Sequence, residues 1–203
     1  MTELTDLSSR IAALAETRNR IIVAIAGPPG SGKSTLVANL AATLSDVVVI
    51  PMDGFHLDNV VLNKRDLLSR KGSPETFDAD GYCQLISRLK RATETVYAPV
   101  FDRNADLSRA AAIEVSSDVK IVLTEGNYLA LQQSPWNRLN ELFDLTVFLD
   151  IPDTVLRERL INRWLEYGLS YDEAVRRAES NDLRNANLVK QYSQQTDFTI
   201  KLF

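Results

Sequence analysis

The chain has a single cysteine, Cys83, a single histidine, His56, and no long apolar run. One cysteine excludes an internal disulfide and any zinc site built from several thiolates. No apolar stretch approaches the 18 or more residues that a membrane helix needs, and the start M-T-E-L-T-D-L-S-S-R is too polar and acidic for a signal peptide. An excess of positive charge is missing too, since 23 basic residues stand against 27 acidic ones, a net charge of −4. That balance gives no general attraction for nucleic acid or an anionic membrane, so any anion has to be held by a local cluster. The expectation is a cytoplasmic enzyme or switch with no nucleic-acid or membrane partner.

What is present suits one α/β domain over residues 1–203, with 45% apolar and 25% charged residues. Leu4, Leu7, Ile11 and Leu14 recur at helical spacing and predict an amphipathic N-terminal helix within residues 1–18. Arg20 to Ala26 (RIIVAIA) is almost wholly apolar, the pattern of a parallel strand buried on both faces. Similar runs follow at Val47 to Ile50, Lys120 to Thr124 and Leu145 to Leu149, with weaker ones at Val96 to Phe101 and Phe198 to Leu202. Helical patterns lie between most of them, at about 33–44, 60–70, 80–92, 136–142, 153–167 and 171–190, and the stretches 71–79 and 102–118 read as irregular. Alternation of this kind predicts a three-layer α/β sandwich, a mostly parallel sheet of five or slightly more strands with helices on both faces.

Gly27-PPGS-Gly32-Lys33-Ser34 fits the phosphate-binding pattern G-x-x-x-x-G-K-[ST], and it lies between a buried strand and a helix, where that pattern works. Gly27, Pro28, Pro29, Gly30, Ser31 and Gly32 let the backbone wrap phosphates. Lys33 supplies a fixed positive charge, Ser34 can ligate Mg²⁺, and Thr35 is expected beside it among the nucleotide contacts. The chain is therefore expected to bind a nucleoside triphosphate with magnesium. Asn63-Lys64-Arg65-Asp66 imitates a guanine-reading motif, but it sits too close to the P-loop and inside a helical pattern, so it reads as a solvated face.

Three acids, Asp53, Glu125 and Asp150, end predicted strands, where ligands of doubly wound sheets bind. Each also suits a plain turn. Asp53 is distinguished by its loop, P-M-D-G-F-H-L-D-N, which follows the strand next in sequence to the P-loop strand, while Asp58 fits the N-cap of a following helix. Glu125 suits a Mg²⁺ ligand or a partner behind one. Arg157, Arg159 and Arg163 fall within two turns of one helix, with Arg176, Arg177 and Arg184 on the next. Interleaved acids make a solvated face one reading; the other places at least one of the first three at the active site.

Several ordered segments from Ile21 to about Leu188 together resemble the P-loop small-molecule kinases, the family of phosphoribulokinase, uridine kinase and bacterial pantothenate kinase. G-P-P-G-S-G-K-S-T is similar to the family P-loop, while P-M-D-G-F-H-L-D-N and R-K-G-S-P-E-T-F-D (residues 70–78) resemble segments of pantothenate kinase. Ala98-Pro-Val-Phe-Asp102, T-E-G-N-Y and D-T-V-L-R-E-R-L resemble segments of uridine kinase, the last of them its arginine-bearing lid. The resemblance implies an ATP-dependent kinase of a small hydroxylated metabolite, with residues 153–184 as lid and following helix. Asp53 would take the acceptor proton, Lys33 and Ser34 serve phosphates and Mg²⁺, and Glu125 lie near the metal. Arg159 and Arg163 would neutralise the transferring group, with Arg157 on the nucleotide.

Where uridine kinases carry a histidine, seven residues after the proline of P-V-Y-D, this sequence has Asp106. P-V-F-D-R-N-A-D resembles instead bacterial relatives labelled fructose transport system kinases, so a fructose-like sugar is the expected acceptor, ahead of pantothenate or a nucleoside. Acceptor contacts are expected from His56, Arg70, Asp78, Asp102, Arg103 and Asn127, with Asp106 a further hydroxyl partner. Phe77, Tyr97, Phe101 and Tyr128 are candidates for a pocket wall or for core, and Cys83 and Trp164 read as packing residues. A nucleotide-dependent switch is the rival of another class, and assembly as a homodimer is left open.

Overall fold

Both faces of Ile21–Ala26 are apolar, and every residue of this strand is buried. It is β1 of a computed structural model that describes residues 2–201. The chain runs α1 (Thr2–Glu16), β1, α2 (Lys33–Thr43), β2 (Val47–Pro51), α3 (Asn59–Lys64), α4 (Ala79–Arg91), β3 (Val96–Asp102) and β4 (Leu107–Val115). It continues through β5 (Ile121–Gly126), β6 (Leu145–Asp150), α5 (Asp153–Glu166), α6 (Tyr171–Arg177), α7 (Leu183–Tyr192) and β7 (Phe198–Lys201). Leu202, the last residue of the expected final run, lies outside the described residues.

Five strands form a wholly parallel sheet in the order β2-β5-β1-β6-β7. Side chains alternate across it, so Ile21, Val23 and Ile25 meet Leu7 and Ile11 of α1 and Val37 and Leu40 of α2 on one face. Ile22, Ala24 and Ala26 meet Tyr82 and Ile86 of α4, Trp136 and Val189 of α7 on the other. The result is the expected three-layer α/β arrangement of a P-loop kinase. Among the described residues no helix is long and apolar enough to cross a membrane.

Three expectations need correction. The run at Val96 to Phe101 does not join the parallel sheet; it pairs antiparallel with β4 in a separate two-stranded ribbon. The stretch 102–118, expected to be irregular, contains β4, a mostly exposed strand held by its ladder to β3 and not by an apolar face, which is why periodicity did not reveal it. The helix expected over 60–70 stops at Lys64. Asp66 turns left-handed (φ 54°) and Leu67 N–H closes back on the Leu62 carbonyl at 2.9 Å, a stop usually made with glycine. The helical pattern expected at 136–142 is there, as the 3₁₀ segment Trp136–Glu141.

The ribbon is pressed against the turn that carries Asp53. At Gly54 an added Cβ would lie 2.5 Å from the Pro99 carbonyl oxygen, too close for any side chain. Gly54→Ala is therefore expected to lower stability by about 1–3 kcal/mol, read as a lower urea midpoint at unchanged slope. An unchanged midpoint would contradict this packing.

Candidate active site

The loop between β1 and α2 keeps its shape through residues that adopt positive φ, notably Gly30 at 79° and Gly32 at 92°, the latter heading α2. Lys33 folds back inside this loop and is only 7% exposed. Its Nζ donates to the Pro28 carbonyl at 2.9 Å and, at 3.4 Å, to the Oγ of the buried Ser31. Burial lowers its pKa to about 8, an effect that the charges of Glu125 and Asp53 partly offset. Ser34 Oγ donates to Glu125 Oε1 at 2.9 Å, and burial raises the Glu125 pKa despite Lys33.

Asp53 lies in the 3₁₀ turn Met52–Phe55 that follows β2, and its Oδ2 accepts from Arg103 Nη2 at 2.9 Å. His56 Nδ1 is 2.8 Å from the Asp53 carbonyl oxygen, and its ring stacks between Phe77 and Phe101, with centroids 4.1 and 4.5 Å away. That enclosure lowers the His56 pKa, an effect that the Asp53 charge partly offsets. Further out, Lys71 Nζ reaches Asp106 Oδ1 at 2.8 Å and Asn59 Oδ1 at 2.7 Å, and Asn59 Nδ2 donates to Asp106 Oδ2 at 2.8 Å. All these groups border one cleft of about 980 Å³ that runs from the P-loop to the tip of the ribbon.

The structure thus brings Pro29, Gly30, Gly32, Lys33, Ser34, Thr35, Asp53, His56, Phe77, Phe101, Arg103, Glu125, Asn127 and Arg163 to this cleft. Gly27, Pro28 and Ser31 lie behind it, inside the phosphate loop. Other expected residues point elsewhere. Asp78 caps α4 by accepting from Gly81 N–H, and Asp102 accepts from the backbone of Asn104 and Ala105 within the ribbon turn. Tyr97 is half exposed on β3, opposite Glu114, and Arg70 is spent on Asn181 and Asn185. Arg157 pairs with Glu179 at the surface, and Arg159 touches the P-loop from outside through Gly30 O at 3.3 Å. Trp164 packs against the cluster of Leu160, Ile161, Ala174 and Ala178, as expected of a packing residue, and also borders the cleft, where its Nε1–H donates to Asp182 at 2.6 Å. Cys83 is buried in the core as expected. Lys71, Asn59, Asn181, Asp182 and Asn185 escaped the sequence reading; Asn181 and Asn185 carried only a faint signal, two amides at i, i+4 on a charged helix.

A buried lysine inside a glycine-bearing loop, beside a paired serine and carboxylate, is machinery for a nucleotide's phosphates. The phosphoribulokinase/uridine kinase family matches residues 22–202. The chain belongs to that family. It is a kinase that transfers phosphate to a hydroxyl acceptor, and the family uses ATP with Mg²⁺. A crystal structure of a "putative fructose transport system kinase" from Silicibacter sp. TM1040 is 43% identical, with a TM-score of 0.86 over 94% of this chain and 98% of that one. A "putative uridine kinase" of Schizosaccharomyces pombe is 34% identical over 97% of this chain and 89% of its own length. The kinase is also 32% identical, over 72% of its residues, to the pantothenate kinase of Sodalis glossinidius, of which it spans 50%.

The residues present fit the family's metal. Ser34 and Glu125 offer hard oxygen donors at the foot of the phosphate loop, the type Mg²⁺ takes, and would hold an ion that would offset the charge of the nucleotide's phosphates. In the free kinase Lys33 loses its proton near pH 8, whereas phosphates laid against it favour the charged form. Binding of Mg·ATP above that pH therefore takes up a proton. The Kd is expected to rise by up to about tenfold per pH unit above the Lys33 pKa, with a binding enthalpy that depends on the buffer's ionisation heat. A Kd that stays flat from about pH 7 to about pH 9.5 in calorimetric titrations would contradict this state of Lys33.

Proposed function

We propose that this kinase phosphorylates a hydroxyl of a fructose-like sugar, working as one domain in which residues 153–184 are the lid and the helix that follows it. The observation that carries the reading is the position of Asp53, at the cleft beside the Ser34–Glu125 pair and on the side facing the ribbon. An acceptor lying along the ribbon side presents its hydroxyl between Asp53 and the γ-phosphate. The oxygen attacks phosphorus, the bond to the β–γ bridging oxygen breaks, ADP leaves, and the proton passes to the Asp53 carboxylate. Lys33 and Arg163 face the charge that spreads over the transferring group. In this reading Arg103 leaves Asp53 as the acceptor arrives, so that binding replaces an ion pair with a hydroxyl contact.

The sugar reading is supported by the far wall, where Asp106, Asn59 and Lys71 present hydroxyl-binding groups in place of the histidine that uridine kinases carry. It is supported too by the description of the 43% identical bacterial structure. One feature favours a planar acceptor such as a nucleoside: the ring stack of His56 between Phe77 and Phe101.

The test is a screen of hydroxylated metabolites for ATP consumption, with wild type and Asp53→Asn side by side. D-Fructose or a related ketose is expected to stimulate turnover, and Asp53→Asn to lower kcat by about 10²- to 10⁴-fold. Stimulation by uridine or pantothenate alone would replace the sugar. Equal activity of Asp53→Asn would remove Asp53 as the base.

A further inference from the structure

The helix that runs from Tyr171 to Tyr192 is not α-helical throughout. Between α6 and α7, residues Ala178–Asp182 form a π-helical turn. Such turns are rare, hold one extra residue per turn, and rotate everything after them relative to an unbroken helix. Here the rotation presents Asn181, Asp182 and Asn185 to the cleft, although each is polar and at least nine-tenths buried. Asn181 accepts from Arg70 at 2.7 Å and donates to the Lys71 carbonyl at 2.9 Å, which fixes the turn to the loop beneath it. Asp182 has other partners: its Oδ2 accepts from Trp164 Nε1 at 2.6 Å and forms an ion pair with Arg163 Nη2 at 3.0 Å.

Arg163 is the arginine of α5 that borders the cleft together with Lys33 and Ser34. A long flexible side chain of this kind reaches many rotamers, and only some lay its guanidinium toward the phosphates. The Asp182 carboxylate restricts it from below, while the indole beside it, 5.4 Å from the guanidinium, restricts it from the side. Arg177 stands 5.1 Å from the same ring, a second cation against the indole.

We propose that Asp182 is a positioning residue, which holds the Arg163 guanidinium in place to meet the γ-phosphate of bound ATP. The proposal rests on the reading of Arg163 as a contact to the transferring group, and it gives the π-turn a purpose. An uninterrupted helix would turn Asp182 away from α5, leaving Arg163 free to move. The opposite reading of the same ion pair is that Asp182 sequesters Arg163 and releases it only when a nucleotide arrives.

Calorimetric titration of the full chain with Mg·ADP and with Mg·AMP-PNP separates these readings without an acceptor. The ratio of the two affinities reports contacts made to the γ-phosphate alone. Asp182→Asn keeps an oxygen for the Trp164 N–H and removes the charge that orients Arg163. It is expected to lower the preference for AMP-PNP over ADP by about tenfold, leaving the Kd for ADP within about twofold. Arg163→Ala should lower the preference at least as far, and the double variant should lose no more than Arg163→Ala does. Asp182→Glu, which retains the charge, should recover part of the loss. An unchanged or increased preference in Asp182→Asn, with Arg163→Ala still impaired, overturns the positioning role. An unchanged preference in Arg163→Ala overturns the reading of Arg163 itself, and the proposal with it. Thermal unfolding of each variant identifies any loss that comes from the fold.

Discussion

The insertion of β5 between β1 and β2 is the constraint on which the site depends. In the register of the parallel ladder Ala26 lies opposite Gly126, and Pro51 lies opposite Glu125. Three strand ends therefore stop side by side, one turning into the phosphate loop, one into the Asp53 turn and one into Asn127. The junction is close: a Cβ on Gly126 would fall 2.5 Å from the Met52 Cβ, so no side chain fits between the β5 end and the turn that carries Asp53. The Ser34–Glu125 hydrogen bond and the electrostatic coupling of Lys33 to both acids follow from that adjacency.

Charge in the cleft is stored in a particular way. Three of its acids have basic partners: Asp53 with Arg103, Asp106 with Lys71, and Asp182 with Arg163. Lys33, by contrast, makes no ion pair among the described residues and bonds only neutral oxygens, so its charge is kept for an incoming anion. Nucleotide and acceptor binding are then exchanges of partners more than creation of new charge, which limits the desolvation each step costs. Arg103 stands on an exposed ribbon turn, where a side chain moves at little cost, and Asp53 on a turn pressed against that ribbon.

What the sequence disclosed was local. The P-loop could be read because its glycines, lysine and serine act within eight residues, and Asp53 and Glu125 because each ends an apolar run. The strand order was not legible, since nothing in VVVI or KIVLT says which is the nearer neighbour of β1. Strand β4 was hidden because Ala110, Ala111 and Ala112 carry no β-type apolar face and fall at a break in the register, while the residues on either side of them are a strand by pairing with β3. The Asn59–Lys71–Asp106 cluster joins three segments that are distant in sequence. The π-turn depends on hydrogen bonds to Arg70 and Lys71 that no periodicity records, and without it Asp182 reads as one more acid on a charged helix.

The central claim is that Asp53 receives the acceptor proton after giving up Arg103. A crystal structure of the chain with Mg·AMP-PNP and the sugar that stimulates turnover tests it most directly. The account predicts that Arg103 is displaced and that an Asp53 carboxylate oxygen lies within about 2.6–3.2 Å of a sugar hydroxyl facing the γ-phosphate. An Asp53 still paired with Arg103, with the sugar's hydroxyl directed at the γ-phosphate from elsewhere in the cleft, would contradict it.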